Sequence, residues 1–164
     1  MINLTADIQY QDDFFSKDFA DHLSDKIKTF QKFQMTGSSI DEDSPSFWYM
    51  NLSDDLDFRE ELKYIQGIIP NRIIRSYVNG QTFGQFGDFH SDDGEETYLY
   101  YLDKDWNIDD GGATEFRMAN DTTVCVYPKF NRMCKFDSTI FHRSMPNRNF
   151  KKLRMTLAFK TERN

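Results

Sequence analysis

Two of the three histidines, His90 and His142, and one aspartate, Asp92, have the types and spacing to hold a metal ion. His90 and Asp92 form a His-x-Asp pair in 87-GDFHSDDG-94. On extended chain, residues at i and i+2 point to the same side. The pair alone carries little. With 27 acids in 164 residues, any histidine has an acid at +2 about one time in six, so the motif needs partners before it has meaning. His142 lies fifty residues past Asp92, and Arg154 twelve residues past His142. Two imidazoles and one carboxylate on one side of a metal leave open positions, an arrangement that suits non-haem Fe(II). Those positions can hold a bidentate keto-acid and dioxygen. Such a co-substrate has a second carboxylate, and a guanidinium meets it with two parallel charge-assisted hydrogen bonds. Arg154 is the candidate for that role.

These side chains need strands to carry them. From residue 71 the chain breaks into short runs divided by turn signals at Asn79-Gly80, Asp93-Gly94, Asp110-Gly111-Gly112, Asn120-Asp121 and Pro128. The runs 72–78, 82–86, 97–102, 113–116, 122–127, 132–136, 139–143 and 151–160 predict eight strands, and their spacing predicts a sandwich or jelly roll. On the last run Leu153, Met155, Leu157 and Phe159 share a core face. Arg154, Thr156 and Ala158 share the other, flanked by Lys152 and Lys160. Small residues around one arginine fit a cavity wall with a cation in it; the alternation fits a solvated face as well. In 97–102, Thr97, Leu99 and Tyr101 oppose Tyr98, Tyr100 and Leu102, and one of these faces has to be an interior wall. The first seventy residues read as helical. Ser16 is a candidate cap for a helix with Phe19, Leu23, Ile27 and Phe30 near a 3.6 period. Ser53 is the candidate cap for a second, with Phe58, Leu62 and Ile65, stopped by Gly67 and Pro70.

From about Arg75 to Phe159 the chain resembles the 2-oxoglutarate/Fe(II)-dependent dioxygenases and, more narrowly, the prolyl 4-hydroxylases, including the oxygen-sensing prolyl hydroxylases. The resemblance rests on His90-x-Asp92, 100-YYLDKDW-106, Gly111-Gly112, 128-PKFNR-132, His142 and Arg154. Their order and spacing are specific where each alone is weak; Gly111-Gly112 also reads simply as a tight turn. The resemblance implies one domain over 1–164, mainly β with N-terminal helices. The core at 71–164 would be a double-stranded β-helix, or jelly roll, with the helices of 1–70 packed on its major sheet. It implies Fe(II) held by His90, Asp92 and His142, and 2-oxoglutarate whose distal carboxylate meets Arg154 and Tyr101. It places Tyr77 near the iron end of that co-substrate, although 77-YVNGQTFGQFGDFH-90 is longer than the same stretch in the oxygen-sensing members. O2 is the other co-substrate, and ascorbate a stimulant. Collagen-type members use lysine where this chain has Arg154, and Asp103 stands where asparagine is commoner. The implied reaction is hydroxylation of a peptide or protein, coupled to decarboxylation of 2-oxoglutarate to succinate.

Composition narrows the alternatives. A chain of 164 residues can bury a real core, and sixteen Phe, eight Tyr and two Trp bring much apolar area to it. No apolar run approaches the ~20 residues of a membrane span. The N-terminus has neither a basic start nor an apolar signal core, which predicts a cytoplasmic protein. Cys125 and Cys134 are too few for a disulfide framework and are expected reduced in the core. The net charge of −7 is uneven: residues 1–128 hold 10 basic and 25 acidic groups, residues 129–164 hold 10 and 2. A basic segment can mean nucleic acid, so oxidative demethylation of nucleic acid on the same fold is the rival activity, and Arg154-x-Thr156 is compatible with it. Against it, an acidic whole grips a phosphate backbone poorly, and the second arginine usual in such demethylases is replaced by Phe159-Lys160. A non-catalytic jelly-roll binding module is the third reading. Substrate contacts are expected from loops 36–50 and 79–89, with 37–46 as a lid. His22 is expected in solvent, and Arg143 and Arg148 at the surface or against a substrate.

Overall fold

Period-two alternation in the second half of the chain builds two facing sheets. The computed structural model describes residues 1–30, 32–36 and 45–163. Its strands are β1 (Ile2–Asn3), β2 (Ile8–Gln11), β3 (Gln34–Thr36), β4 (Phe47–Asn51), β5 (Arg72–Gln81), β6 (Glu96–Tyr101), β7 (Thr114–Arg117), β8 (Thr123–Val126), β9 (Arg132–Asp137), β10 (His142–Ser144) and β11 (Arg154–Glu162). The major sheet runs β1-β2-β9-β6-β11-β5-β4-β3 and the minor sheet β10-β7-β8. The fold is the expected jelly roll, mainly β, with helices α1 (Lys17–Phe30) and α2 (Arg59–Gln66) on the major sheet.

The two faces of the central strands have separate tasks. Val78, Tyr98, Tyr100, Leu102, Met155, Leu157 and Phe159 pack with Leu23 and Ile27 of α1 and Ile65 of α2. Each such side chain, fully buried, contributes roughly 1.5–3 kcal/mol. Leu99, Tyr101 and Ala158 point the other way and join Phe116 and Val126 of the minor sheet. The Arg154 row therefore lines the space between the sheets. Arg154 itself is 2% exposed, which decides for the cavity wall over the solvated face.

Local chemistry explains where the elements depart from the expected ones. Ser16 caps α1, its hydroxyl accepting from the Phe19 amide at 3.4 Å. Ser53 does not cap the second helix. Its hydroxyl is tied to the Ser76 backbone, and Asp55 instead caps a 3-10 turn at Leu56–Phe58 that leads into α2. The predicted strand 82–86 is absent: Thr82 and Gln85 close a turn, with Gly84 at φ +77°. His90 extends that edge of the minor sheet through an isolated antiparallel bridge to His142. The first seventy residues are not only helical. They add β1 to β4 to the two edges of the major sheet, with Ile8 opposite Phe136 and Trp48 opposite Gly80. Most of the expected lid, 37–44, lies outside the described residues.

Candidate metal and anion site

Register across three strands lays out one inner wall. Arg154 stands opposite Gln81, Thr156 opposite Asn79, Ala158 opposite Tyr77 and Lys160 opposite Arg75. On the other side of β11, Thr156 faces Tyr101, Ala158 faces Leu99 and Lys160 faces Thr97. Directly opposed residues share a face. The wall thus has Arg154 at one end and Lys160, with the half-exposed Arg75 opposite it, at the other, and Asn79, Thr156, Tyr101, Tyr77, Ala158 and Leu99 between.

At the Lys160 end the sequence-predicted ligands come together. One ligand atom from each of His90, Asp92 and His142 lies within 4.8 Å of the others. Among the described residues no other cluster of three His, Cys, Asp or Glu groups could hold an ion. Backbone hydrogen bonds between the two histidines, His90 N–H to His142 O at 3.0 Å and His142 N–H to His90 O at 2.9 Å, fix their spacing. The Asp92 amide donates to Ser138 O at 2.8 Å. His142 packs edge-on against Phe136, ring centroids 4.6 Å apart.

The donor set fits a metal. The Nδ1 atoms of His90 and His142 lie 2.9 Å from the carbonyls of Asp88 and Ile140. A carbonyl only accepts, so Nδ1 carries the proton and the neutral ring keeps its lone pair on Nε2. Those Nε2 atoms sit 3.6 Å and 3.3 Å from the Asp92 carboxylate. Lone pairs facing a carboxylate call for a cation between them. Burial acts to raise the Asp92 carboxyl, but its polar neighbours, the Lys160 ammonium among them, outweigh it and hold it far below the usual range. Desolvation and the neighbouring His142 push the His90 imidazole down, towards its neutral, ligating form. The Asp92 and His142 side chains are 5% and 6% exposed, that of His90 45%, so the cluster opens on its His90 side.

The other end holds a buried cation. Arg154 donates from Nε to Gly112 O, from Nη1 to Gln81 Oε1 at 3.0 Å and from Nη2 to Thr114 Oγ1 at 3.4 Å. Its guanidinium lies 5.8 Å from the Tyr101 ring, and the Tyr101 hydroxyl meets the same Thr114 oxygen at 2.7 Å. Every one of these partners is neutral. A buried charge without a counter-ion is costly unless a ligand supplies one, and burial pushes the Arg154 pKa down accordingly. A dicarboxylate would meet that need. Tyr77 sits beside Ala158, its ring 5.7 Å from the Lys160 ammonium and 5.3 Å from the Tyr49 ring. The contact with Lys160 puts Tyr77 towards the Asp92 end, and burial, then the Asp92 charge, raises its hydroxyl.

Several wall residues escaped sequence reasoning. Gln81 and Thr114 hold the Arg154 fork, and Thr97 donates to Asp92 Oδ2 at 2.7 Å. Asn79 Oδ1 is buried with no hydrogen-bond partner among the described residues, in the row next to Arg154, an orphaned polar atom of the kind a ligand would satisfy. Gly112 does more than turn the chain. At φ +68° it lies so close that a Cβ there would stand 2.6 Å from Arg154 Cδ. The signal available was the i, i+2 row shared by Arg154 and Lys160; the others are cross-chain neighbours without a local pattern. His22 is half-exposed but hydrogen-bonded to Glu61 at 2.7 Å, and Arg143 is paired with Glu115 at 2.7 Å.

A jelly roll with a two-histidine, one-carboxylate cluster at one end of its inner wall and a buried arginine at the other defines a class of oxygenase site. Residues 73–160 match the 2OG-Fe(II) oxygenase superfamily. No curated protein matches the sequence closely enough to count as a relative. Among solved structures, a prolyl-4-hydroxylase from Pseudomonas putida superposes with a TM-score of 0.77 at 15% identity, covering 98% of this chain and 94% of that one. A prolyl hydroxylase from Trichoplax adhaerens, in complex with a hypoxia inducible factor oxygen degradation domain peptide fragment, gives 0.76 at 17% identity over 96% and 84%. HygX from Streptomyces hygroscopicus, with nickel and 2-oxoglutarate bound, gives 0.66 at 10% identity over 93% and 81%. The chain belongs to the 2OG-Fe(II) oxygenase superfamily. It is an oxidoreductase whose cofactor is Fe(II) and whose co-substrates are 2-oxoglutarate and O2.

Proposed function

We propose that the protein is a prolyl 4-hydroxylase-like hydroxylase of a peptide or protein substrate. His90, Asp92 and His142 hold the iron, Arg154 and Tyr101 hold the distal carboxylate of 2-oxoglutarate, and Tyr77 stands near its other end. The observation that carries the site assignment is the buried Arg154 guanidinium, with only neutral partners among the described residues, on the strand whose Lys160 contacts Asp92 of the ligand cluster. When bound, the iron would let O2 act as the oxidant, one oxygen atom going to the substrate and the other to succinate, which 2-oxoglutarate becomes with loss of CO2. The chain's own residues bind, orient and exclude water. The Arg154 fork, fixed by Gln81 and Thr114, sets where the co-substrate lies. Leu99, Ala158, Phe116 and Phe136 keep the space between the sheets dry. The open His90 edge leaves the primary substrate a route to the metal.

The peptide reading is supported by the fold shared with two prolyl hydroxylases, one of them solved with a peptide. An acidic chain also suits a neutral or basic peptide better than a nucleic acid. The test offers proline-rich peptides, free proline and methylated single-stranded DNA in parallel, with Fe(II), ascorbate and 2-oxoglutarate. A gain of one oxygen mass on a peptide proline, absent with His90→Ala, is the expected result; succinate release stimulated by the DNA alone would overturn it. Reconstituted wild type should bind about one metal per chain, and His142→Ala far less.

A further inference from the structure

Lys160 is a buried charge that the assignments above leave without a task. It is 1% exposed and sits on the inner face of β11, opposite Thr97 of β6. Its ammonium contacts Asp92 Oδ2 and Thr97 Oγ1, the latter at 3.2 Å. The Thr97 hydroxyl donates to the same Asp92 oxygen at 2.7 Å, so its own oxygen is left to accept from Lys160. Both partners of the ammonium are therefore acceptors. Asp92 Oδ2 is taken by these donors, whereas Oδ1 accepts no hydrogen bond among the described residues.

Resting on the assignment of Asp92 as a metal ligand, we propose that Lys160 is an electrostatic positioning residue for the metal centre. In the metal-free protein it is the cation that neutralises Asp92. In the loaded protein it is a fixed positive charge against the ion, weakening its binding and opposing a third positive charge on it more than a second. The site thereby favours Fe(II) over Fe(III). Coulomb repulsion grows with the charge on the ion, and a buried pair is little screened by salt. Thr97 keeps a donor on Asp92 whatever stands at 160, so the carboxylate stays oriented when the charge is removed.

The experiment measures metal binding and potential, not turnover. Mn(II) affinity is determined by calorimetry for wild type, Lys160→Gln, Lys160→Met and Lys160→Arg, and the Fe(III)/Fe(II) midpoint potential for the iron-loaded proteins. The two neutral variants should bind Mn(II) at least about tenfold more tightly than wild type, and Lys160→Arg should stay within about threefold of it. The midpoint potential should fall in the neutral variants and hold in Lys160→Arg. Neutral variants that fold only when Mn(II) is present support the same role, because the metal then replaces the missing charge. Equal or weaker Mn(II) binding in both neutral variants, an unmoved potential, or misfolding irrespective of metal would overturn it. No peptide or 2-oxoglutarate enters these measurements, so failure of the prolyl reading leaves them standing. A wild type that binds no Mn(II) would overturn both the ligand assignment and the role of Lys160.

Discussion

Single side chains carry the chemistry, and Arg154 is the sharpest case. It is buried, hydrogen-bonded among the described residues only to neutral groups, and six residues from a second buried cation on the same face. Removing a buried ionic partner of the co-substrate costs a few kcal/mol, so Arg154→Ala should raise the KM for 2-oxoglutarate at least about tenfold. Arg154→Lys should fall between, because the charge survives and the planar fork does not. Steady-state kinetics with 2-oxoglutarate as the varied substrate decides this; equal KM values for wild type and Arg154→Ala would place the anion site elsewhere. The nature of these residues was legible in the sequence. Few side chains bind a transition-metal ion through nitrogen or clamp a carboxylate with two donors, and the order and spacing of His-x-Asp, His and Arg are specific enough to be read.

Elements decide whether those side chains meet. The connection from β6 to β7 shows how. Trp106 donates from its indole to Gly111 O at 3.1 Å, and the chain then passes over Arg154 at Gly112, whose carbonyl accepts from Nε. The pair Gly111-Gly112 reads from sequence as a turn, which it is, but its closeness to Arg154 is a property of two elements. Gly112→Ala would set a Cβ 2.9 Å from Arg154 Nε at φ +68°, adding roughly 1–2 kcal/mol of backbone strain. The guanidinium has to shift, so the KM for 2-oxoglutarate should rise several-fold while metal binding stays as in wild type. A variant with an unchanged KM would show that the clamp tolerates a wider turn. The same scale explains the strand that failed to form at 82–86. Aromatic content argues for a strand there, but Gly84 at positive φ and the Thr82–Gln85 turn take the backbone out of register.

The whole molecule sets stability, and Asp103 ties it to pH. This carboxyl lies beyond the end of β6, 8% exposed, and accepts from the Met155 amide at 2.8 Å, next to Arg154 in the chain. Burial pushes it up from 3.8 to about 6, more than the Met155 hydrogen bond and the Lys28 charge offset. A carboxyl whose folded pKa is raised binds its proton more tightly in the folded state. Its contribution is therefore best at low pH, is lost as pH rises from about 4 through about 6, and is flat above that. Asp103→Asn keeps an oxygen for the Met155 amide and removes the buried charge. It should be more stable than wild type by roughly 1–3 kcal/mol near pH 8, with little difference near pH 4. Urea unfolding at both pH values checks this; a gain independent of pH would mean that something other than the charge is responsible.

The sequence by itself determined which residues could hold a metal, the candidate arginine, the alternation of the central strands and the jelly-roll class, because each is written in residue type or in a local period. It also resolved Leu153 to Phe159 into two faces, but not which face was wet. Tertiary structure decided that Arg154 looks into a closed space, since helices α1 and α2 cover the opposite face and the minor sheet covers this one. It brought Gly112, Gln81 and Thr114 to Arg154, Asn79 to the row beside it, and Lys160 and Thr97 to Asp92. It also recruited β1 to β4 from a segment whose clearest signals were helical. These are pairings between residues tens of positions apart. They follow from strand register, which is fixed by how all the strands pack together and leaves no trace in the spacing along any one of them.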